Sequence, residues 1–131
     1  MKYLLDTDIA SYYLRGKFDL VLIFERKGYP QIRLSRITIA QLEVLAYKNP
    51  KSSVNDSAIQ KLSQKLGVLD PDINTWRIFS MIKAENEKKG QPRGDLDVLQ
   101  AAIAKQNNLV VVTNNVRHFE GLIEIENWTE E

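Results

Sequence analysis

The chain has 131 residues, of which 44% are hydrophobic and 27% are charged. This length suits one domain with a continuous core, and this composition excludes a disordered or fibrous protein. Eighteen basic residues against seventeen acidic ones give a formal net charge of +1, so a polyanion would have to be held by a local patch. We therefore expect a single domain spanning residues 1–131.

The absence of cysteine limits the chemistry and indicates the compartment. It excludes a disulfide framework, a thiolate nucleophile and cysteine-ligated zinc. No apolar run approaches the roughly 20 residues that span a bilayer. The acids of the opening MKYLLDTD come too early for a signal peptide. We therefore expect a cytoplasmic protein.

Short apolar strands alternate with helical segments along the chain. Strands are predicted at residues 2–5, 32–35, 68–69, 109–113 and 123–126. This alternation favours a central parallel sheet covered on both faces, which is a three-layer α/β/α sandwich. Ligands of such sheets bind at the carboxyl ends of the strands, where the strand order reverses. Asp6 and Asn114–Asn115 each follow a predicted strand, so their side chains would share a crevice if those strands are neighbours.

Four polar signals predict helix ends. Thr38 and Gln41 have the spacing of a capping box, and Asn49–Pro50 would stop that helix before a polar loop. Asp72 is predicted to cap the long helix INTWRIFSMIKAENEKK. Asp8 is interpreted in the same way, as the N-cap of the helix that follows the first strand.

Several acids lie in apolar surroundings that do not favour a charge. Glu43 belongs to ITIAQLEVLAY, where apolar residues occupy almost every direction around a helix, so that helix is predicted to be largely buried. A buried glutamate needs its charge compensated. Asp97 lies in the first turn of another apolar helix, where the helix dipole alone would favour an acid. Asp6 ends a buried strand, is not explained as a cap, and is the strongest single candidate.

Asp6, Glu43 and Asp97 point to metal chemistry when they are considered as a set. No buried lysine or arginine is patterned to neutralise all three, whereas Mg²⁺ or Mn²⁺ would do so and leave room for a substrate phosphate. Such an ion activates water and stabilises charge on phosphorus during in-line attack. His118 is the only histidine, which excludes a histidine pair acting as base and acid. Its ring is interpreted as a solvated surface group.

Four blocks of sequence, in this order, resemble a PIN-domain ribonuclease, most closely the VapC-type toxin of bacterial toxin–antitoxin pairs. They are LLDTDIAS, SRITIAQLEVLAY, GDLDVLQAAIAKQNNLVVVTNN followed by RHF, and IEIENW. The resemblance implies a PIN-like α/β/α sandwich that hydrolyses RNA with Mg²⁺ or Mn²⁺. It further implies transfer RNA as the substrate class and a small antitoxin protein as the partner. Family members are commonly dimers, so a homodimer is also expected.

The same resemblance assigns roles to individual residues. Asp6, Glu43 and Asp97 match the catalytic acids that bind the metal, and Asn115 falls where many members carry a fourth acid. Thr7 and Thr113 match polar positions that support these acids. The expected products are a 5′-phosphate and a 3′-hydroxyl, because no base is placed to activate the ribose 2′-hydroxyl. Five basic residues are predicted to receive the RNA phosphates: Arg15, Lys17, Arg36, Arg93 and Arg117.

Two other functions stay open at the level of sequence. One is a phosphatase of the haloacid dehalogenase type, which also begins with a strand followed by D-x-D and finds a second acidic motif in GDLD. The other is a non-catalytic module whose acidic cleft binds arginines of a partner. The apolar segment FDLVLIFERKG, beginning at Phe18, is a weak candidate for the groove that would receive an antitoxin.

Overall fold

Five short strands and seven α-helices alternate in the computed structural model, which describes residues 1–131. The strands are β1 (Tyr3–Leu5), β2 (Ile32–Ser35), β3 (Val68–Leu69), β4 (Val110–Val112) and β5 (Ile125–Glu126). The helices are α1 (Thr7–Leu14), α2 (Leu20–Lys27), α3 (Arg36–Lys48), α4 (Asp56–Leu66), α5 (Ile73–Lys88), α6 (Asp95–Gln106) and α7 (Val116–Phe119). Each predicted strand is present. None of the helices has both the length and the apolar content needed to cross a membrane.

The strands form one parallel sheet in the order β3-β2-β1-β4-β5. The chain begins in the centre, builds one half of the sheet through β2 and β3, and then returns to build the other half. The strand order therefore reverses between β1 and β4, which pair with Leu5 opposite Val112. The Asp6 amide donates to the Val112 carbonyl at 2.9 Å. The expected crevice between these two strand ends is thus present.

Side chains that alternate along the strands divide the core into two layers. Tyr3 and Leu5 of β1 pack with helices α1 to α4 and with Trp128. Leu4 and Val111 point to the opposite face and pack with α6 and Phe119. This alternation is the normal consequence of the two-residue period of a strand. The predicted three-layer α/β/α sandwich is therefore confirmed.

The predicted helix caps were partly right. Asp72 accepts hydrogen bonds from the amides of Asn74 and Thr75 and caps α5, as expected. The capping box at Thr38 and Gln41 was wrong, because α3 begins earlier and is capped by Ser35, whose hydroxyl accepts from the Thr38 amide at 3.2 Å. Since β2 runs directly into α3, the Thr38 and Gln41 side chains are free to face the sheet.

A buried polar network joins the ends of β1 and β2 to α3 and α6. Gln100 donates through Nε2 to the Leu5 carbonyl at 3.0 Å and accepts through Oε1 from the Ser35 hydroxyl at 2.5 Å. The Thr38 hydroxyl donates to the same Leu5 carbonyl at 3.1 Å. Gln100 is only 2% exposed, so water cannot replace these partners. The network fixes the positions at which both helices leave the sheet.

Replacing Gln100 with leucine is expected to lower the free energy of unfolding by about 2–4 kcal/mol, because the Ser35 hydroxyl loses its buried partner. Urea denaturation measures this loss. Gln60→Leu is the matched control, since Gln60 is exposed on α4, and its effect should stay within about 0.5 kcal/mol. Equal effects of the two changes would contradict a structural role for the network.

Candidate active site

A pocket of about 490 Å³ opens at the carboxyl ends of β1 and β4. Four separated stretches of chain supply its polar side chains: Asp6 with helix α1, helix α3, the start of α6, and the segment after β4. These side chains include Asp6, Asp8, Gln41, Asp97, Asn115 and His118. The structure thus brings Asp6, Asp97 and Asn115 together, as the sequence predicted.

Asp6 is the most constrained acid of the pocket. Its Oδ1 accepts from the Thr7 amide at 2.9 Å, and its Oδ2 accepts from the Thr113 hydroxyl at 2.9 Å. Burial, and then the nearby carboxylates of Asp8 and Asp97, raise the pKa of Asp6 to about 6, although both hydrogen bonds oppose the rise. A carboxylate that is ionised under these conditions has a strong electrostatic preference for a cation. Asp6 also caps α1, so the expectation that Asp6 is not a helix cap was wrong.

Asp8 lines the pocket and does not cap α1, so its interpretation as an N-cap was wrong. It lies in the first turn of the helix, where its Oδ1 accepts from the Ile9 amide at 2.7 Å. Its Oδ2 reaches across to accept from the Asn114 amide at 2.9 Å. Burial raises the pKa of Asp8, and these backbone hydrogen bonds oppose the rise. Asp8 thereby ties the turn after β1 to the segment after β4.

Asp97 contacts the single histidine of the chain. The Nδ1 atom of His118 lies 3.2 Å from Oδ2 of Asp97, and 30% of the Asp97 side chain is exposed. The interpretation of His118 as a merely solvated surface group was therefore incomplete, because its half-exposed ring lines the pocket. Arg93 holds the adjacent segment in place by donating to the carbonyls of Arg117 and His118 at 3.2 and 3.0 Å.

Helix α3 presents Gln41 to the pocket, and the structure does not bring Glu43 there. The Oε1 atom of Gln41 accepts a hydrogen bond from the Thr7 hydroxyl. Glu43 lines a separate depression on the α4 side of the helix. The prediction that α3 is largely buried was wrong, because Val44 is 54% exposed and Tyr47 is 83% exposed. Glu43 is itself partly exposed and needs no buried partner for its charge.

Thr113 links the acids to the segment after β4. It is fully buried, donates to Asp6, and accepts from the Asn115 amide at 2.9 Å. The Asn115 side chain is exposed and lines the pocket. The polar positions at the two strand ends therefore form one connected set of hydrogen bonds.

The predicted phosphate contacts divide into two groups. Arg36 forms an ion pair with Asp70 at 2.7 Å, and Arg93 is engaged with backbone carbonyls. These two guanidinium groups are already occupied in the folded chain. The remaining three predicted contacts are exposed and free of ion pairs: Arg15, Lys17 and Arg117.

The donor atoms of the pocket fit a hard divalent cation. Three carboxylates face it, from Asp6, Asp8 and Asp97, and no lysine or arginine lines it. Nowhere in the chain do three acidic or histidine side chains converge on one point as a closed cage. Mg²⁺ is usually bound through only one or two carboxylates, with waters and substrate phosphates completing its shell. Asp6 and Asp97 could hold such an ion, and Asp8 and Asn115 line the same pocket.

Comparison with known families gives this fold and site a class. The PIN domain family matches residues 3–122, which include every pocket residue described above. The chain therefore belongs to the PIN-domain family. This match excludes the phosphatase alternative. The GDLD motif that supported it begins a helix, α6, and does not follow a strand.

Individual relatives narrow the class to VapC ribonucleases. Ribonuclease VapC2 of Haemophilus influenzae is 33% identical over 130 residues, which cover 98% of each chain. The tRNA(fMet)-specific endonuclease VapC of Salmonella typhimurium is 32% identical, again over 98% of each chain. The crystal structure of DNA-bound VapBC from Salmonella typhimurium superposes with a TM-score of 0.87 at 32% identity, covering 98% of each chain. The resemblance found in the sequence is confirmed, and the chain is a nuclease.

Proposed function

We propose that the protein is a Mg²⁺- or Mn²⁺-dependent endoribonuclease and the toxin of a toxin–antitoxin pair. The observation that carries this proposal is the environment of Asp6. Its carboxylate is partly buried beside Asp8 and Asp97, which with this burial raise its pKa to about 6, and no lysine or arginine of the pocket neutralises it. A bound divalent cation would supply that neutralisation, activate water and stabilise charge on the phosphate.

The roles of the chain's own residues follow from their contacts. Asp6 and Asp97 are assigned as the metal-holding acids, and Asn115 is assigned to the same site through water. Thr113 orients Asp6 through its hydrogen bond, and His118 orients Asp97 through Nδ1. Groups that orient metal ligands in this way typically affect metal affinity or activity by about 10–100-fold.

Gln41 is assigned the place in the site that the family resemblance gave to Glu43. Because its Oε1 accepts from the Thr7 hydroxyl, its amide nitrogen is left to donate toward the pocket. A donor at that point suits a non-bridging phosphate oxygen better than a metal ion, since amide nitrogen carries hydrogens and is not a ligand for Mg²⁺. Gln41 would thus bind substrate, and Glu43 would take no part.

Gln41→Ala is expected to lower kcat/KM for RNA cleavage by roughly 10–100-fold, through loss of one hydrogen-bond donor to the charged phosphate. Glu43→Gln, a change on the same helix, should leave kcat/KM within about threefold because Glu43 lies outside the pocket. Steady-state kinetics on one RNA substrate compares the two variants. The opposite ranking would restore Glu43 as the second acid.

The substrate and partner are proposed from the relatives. Relatives named tRNA(fMet)-specific endonucleases support transfer RNA as the substrate class. Solved relatives named VapBC complexes of toxin–antitoxin systems support an antitoxin as the partner. A largely apolar groove of about 410 Å³ adjoins the acidic pocket and shares Gln41 and Val44 with it. This groove suits an antitoxin segment better than the Phe18 segment, since Leu20, Ile23 and Phe24 there are buried in the core.

Incubation of partner-free, refolded protein with bulk transfer RNA tests the proposed function. Discrete fragments should appear with Mg²⁺ or Mn²⁺ and should be absent with EDTA. Circular dichroism establishes that the protein is folded in every reaction. No cleavage by folded protein with either metal would contradict the proposal and would favour the non-catalytic acidic cleft.

A further inference from the structure

We propose that Tyr12, supported by Phe18, forms a stacking wall for one nucleobase next to the scissile phosphate. This inference rests on the proposed ribonuclease function and names how the same pocket would hold its substrate. Tyr12 lies on α1, about one turn after Asp8, and lines the pocket. We refer to Tyr12 and Phe18 together as the aromatic wall.

The lining of the pocket combines acidic and apolar residues. Asp6, Asp8 and Asp97 are the acids, and Tyr12, Val44 and Leu45 are the apolar residues, from helices α1 and α3. Hydrolysis of a phosphodiester uses the acids, so the apolar residues are free to contact another part of the substrate. A volume of about 490 Å³ lies within the range of pockets that enclose a small organic group. A nucleobase is the apolar, planar part of a nucleotide.

The Tyr12 ring is held in place from behind. Its centroid lies 4.9 Å from that of Phe18, with 66° between the ring planes, which is the favoured edge-to-face arrangement of aromatic pairs. The Tyr12 carbonyl also accepts from the Lys17 amide at 2.9 Å, which fixes the turn that carries Phe18. A ring supported in this way presents a rigid face at little entropic cost.

The turn that carries Phe18 has an unusual backbone. Phe18 and Asp19 both have positive φ, at 59° and 53°, a region that residues other than glycine rarely occupy. Two successive residues of this kind place the Phe18 ring against Tyr12, although 46% of Phe18 remains exposed. Such backbone strain persists where the surrounding structure requires it, often at binding sites.

The charges around the aromatic wall favour RNA over a protein side chain as the occupant. Arg15 and Lys17 lie on the same turn, exposed and without ion pairs. Proteins that bind single-stranded nucleic acid combine basic residues along the backbone with aromatic rings under the bases. Sequence in RNA is read mainly from unstacked bases in loops. A loop nucleotide whose phosphate reaches Asp6 and Asp97 would place its base against Tyr12.

The test removes the Tyr12 ring and one RNA base, separately and together, and compares the cleavage rates. After the cleaved bond is mapped in bulk transfer RNA, a stem-loop carrying that bond is made intact and with one abasic nucleotide on its 5′ or its 3′ side. Tyr12→Ala should lower kcat/KM on the intact stem-loop at least about fivefold, the lower end for loss of base–aromatic stacking. On one of the two abasic stem-loops, the Tyr12→Ala variant and the wild-type protein should cleave at the same rate. Tyr12→Phe, which keeps the ring, should restore the difference between intact and abasic RNA.

Controls separate stacking from folding. Tyr47→Ala removes a ring that is 83% exposed and lies outside the pocket, and it should leave all three rates unchanged. Phe18→Ala should reduce the same difference between intact and abasic RNA, and it provides a second variant if Tyr12→Ala does not fold. Thermal denaturation checks each variant.

Three results would overturn the proposal in different ways. Equal losses for Tyr12→Ala on intact and abasic RNA would make the ring merely structural. Unchanged cleavage with weakened binding of the antitoxin would assign the aromatic wall to a protein partner. No cleavage by wild-type protein would remove the ribonuclease function itself, a result that is distinct from cleavage without coupling.

Discussion

Asp97→Asn is expected to lower Mg²⁺-dependent cleavage of transfer RNA by at least about a hundredfold. The change keeps the size of the side chain and removes one of the two carboxylates assigned to the metal. Asp97 contacts His118 at 3.2 Å, and asparagine can keep a polar contact there, so the loss should come from charge. Initial rates on bulk transfer RNA, with Mg²⁺ at several concentrations, measure it.

Asp95→Asn is the matched control for this prediction. It makes the same chemical change on the same turn of α6, but the Asp95 side chain is 73% exposed and pairs with Lys83 at 2.8 Å. A surface ion pair of this kind contributes little, so the cleavage rate should stay within about twofold of wild type. Equal losses in the two variants would show that the effect of Asp97→Asn is not specific to the pocket.

Asp6→Asn is expected to make the metal-free protein more stable at pH 8, by about 1–3 kcal/mol in the free energy of unfolding. Folding raises the pKa of Asp6 from 3.8 to about 6, chiefly through burial. The folded state therefore binds the proton more tightly, and wild-type stability falls as pH rises from about 4 to about 6. Asparagine stays neutral, so the variant avoids this loss. Near pH 4 the difference should largely vanish.

Urea denaturation in EDTA at pH 4 and pH 8 measures this effect. Added Mg²⁺ should remove the stability advantage of the variant at pH 8. Mg²⁺ should stabilise wild type at pH 8 and should not stabilise the variant, because ligand binding to the folded state alone raises stability. Asp95→Asn should change the free energy of unfolding by less than about 0.5 kcal/mol at both pH values. A variant less stable than wild type at pH 8 in EDTA would mean that the Thr113 hydrogen bond outweighs the burial of charge.

The sheet and the position of Asp6 could be predicted because they depend on local patterns. Buried parallel strands are short apolar runs, and LVVVT and YLL stand out against their polar neighbours. Once β1 and β4 are neighbours, Asp6 and Asn115 must lie at the same edge of the sheet. The fold and half of the pocket therefore follow from runs of only a few residues each.

The second position of the pocket could not be predicted because it depends on the rotation of α3. Ser35, the last residue of β2, caps the helix, so α3 starts before the predicted capping box at Thr38. Val44 and Tyr47 are apolar but exposed, which makes the helix look buried on all sides in sequence. Both effects made Glu43, and not Gln41, the predicted second acid of the pocket.

The contacts of Asp8 and His118 join residues that are far apart in sequence. Asp8 accepts from Asn114, and His118 of α7 contacts Asp97 of α6, although β4 lies between those helices in the chain. No local period or motif encodes such pairs, since they arise only when the sheet brings its strand ends together. The homodimer expected from the family stays a prediction.

The termini of the cleaved RNA record which oxygen attacked phosphorus. With Mg²⁺ and wild-type protein, we expect fragments that carry a 5′-phosphate and a 3′-hydroxyl, from attack by water at the acidic pocket. Ligation and mass spectrometry of the fragments distinguish the two possibilities. A 2′,3′-cyclic phosphate with a 5′-hydroxyl would contradict hydrolysis by metal-activated water, because such termini form when the ribose 2′-hydroxyl attacks phosphorus.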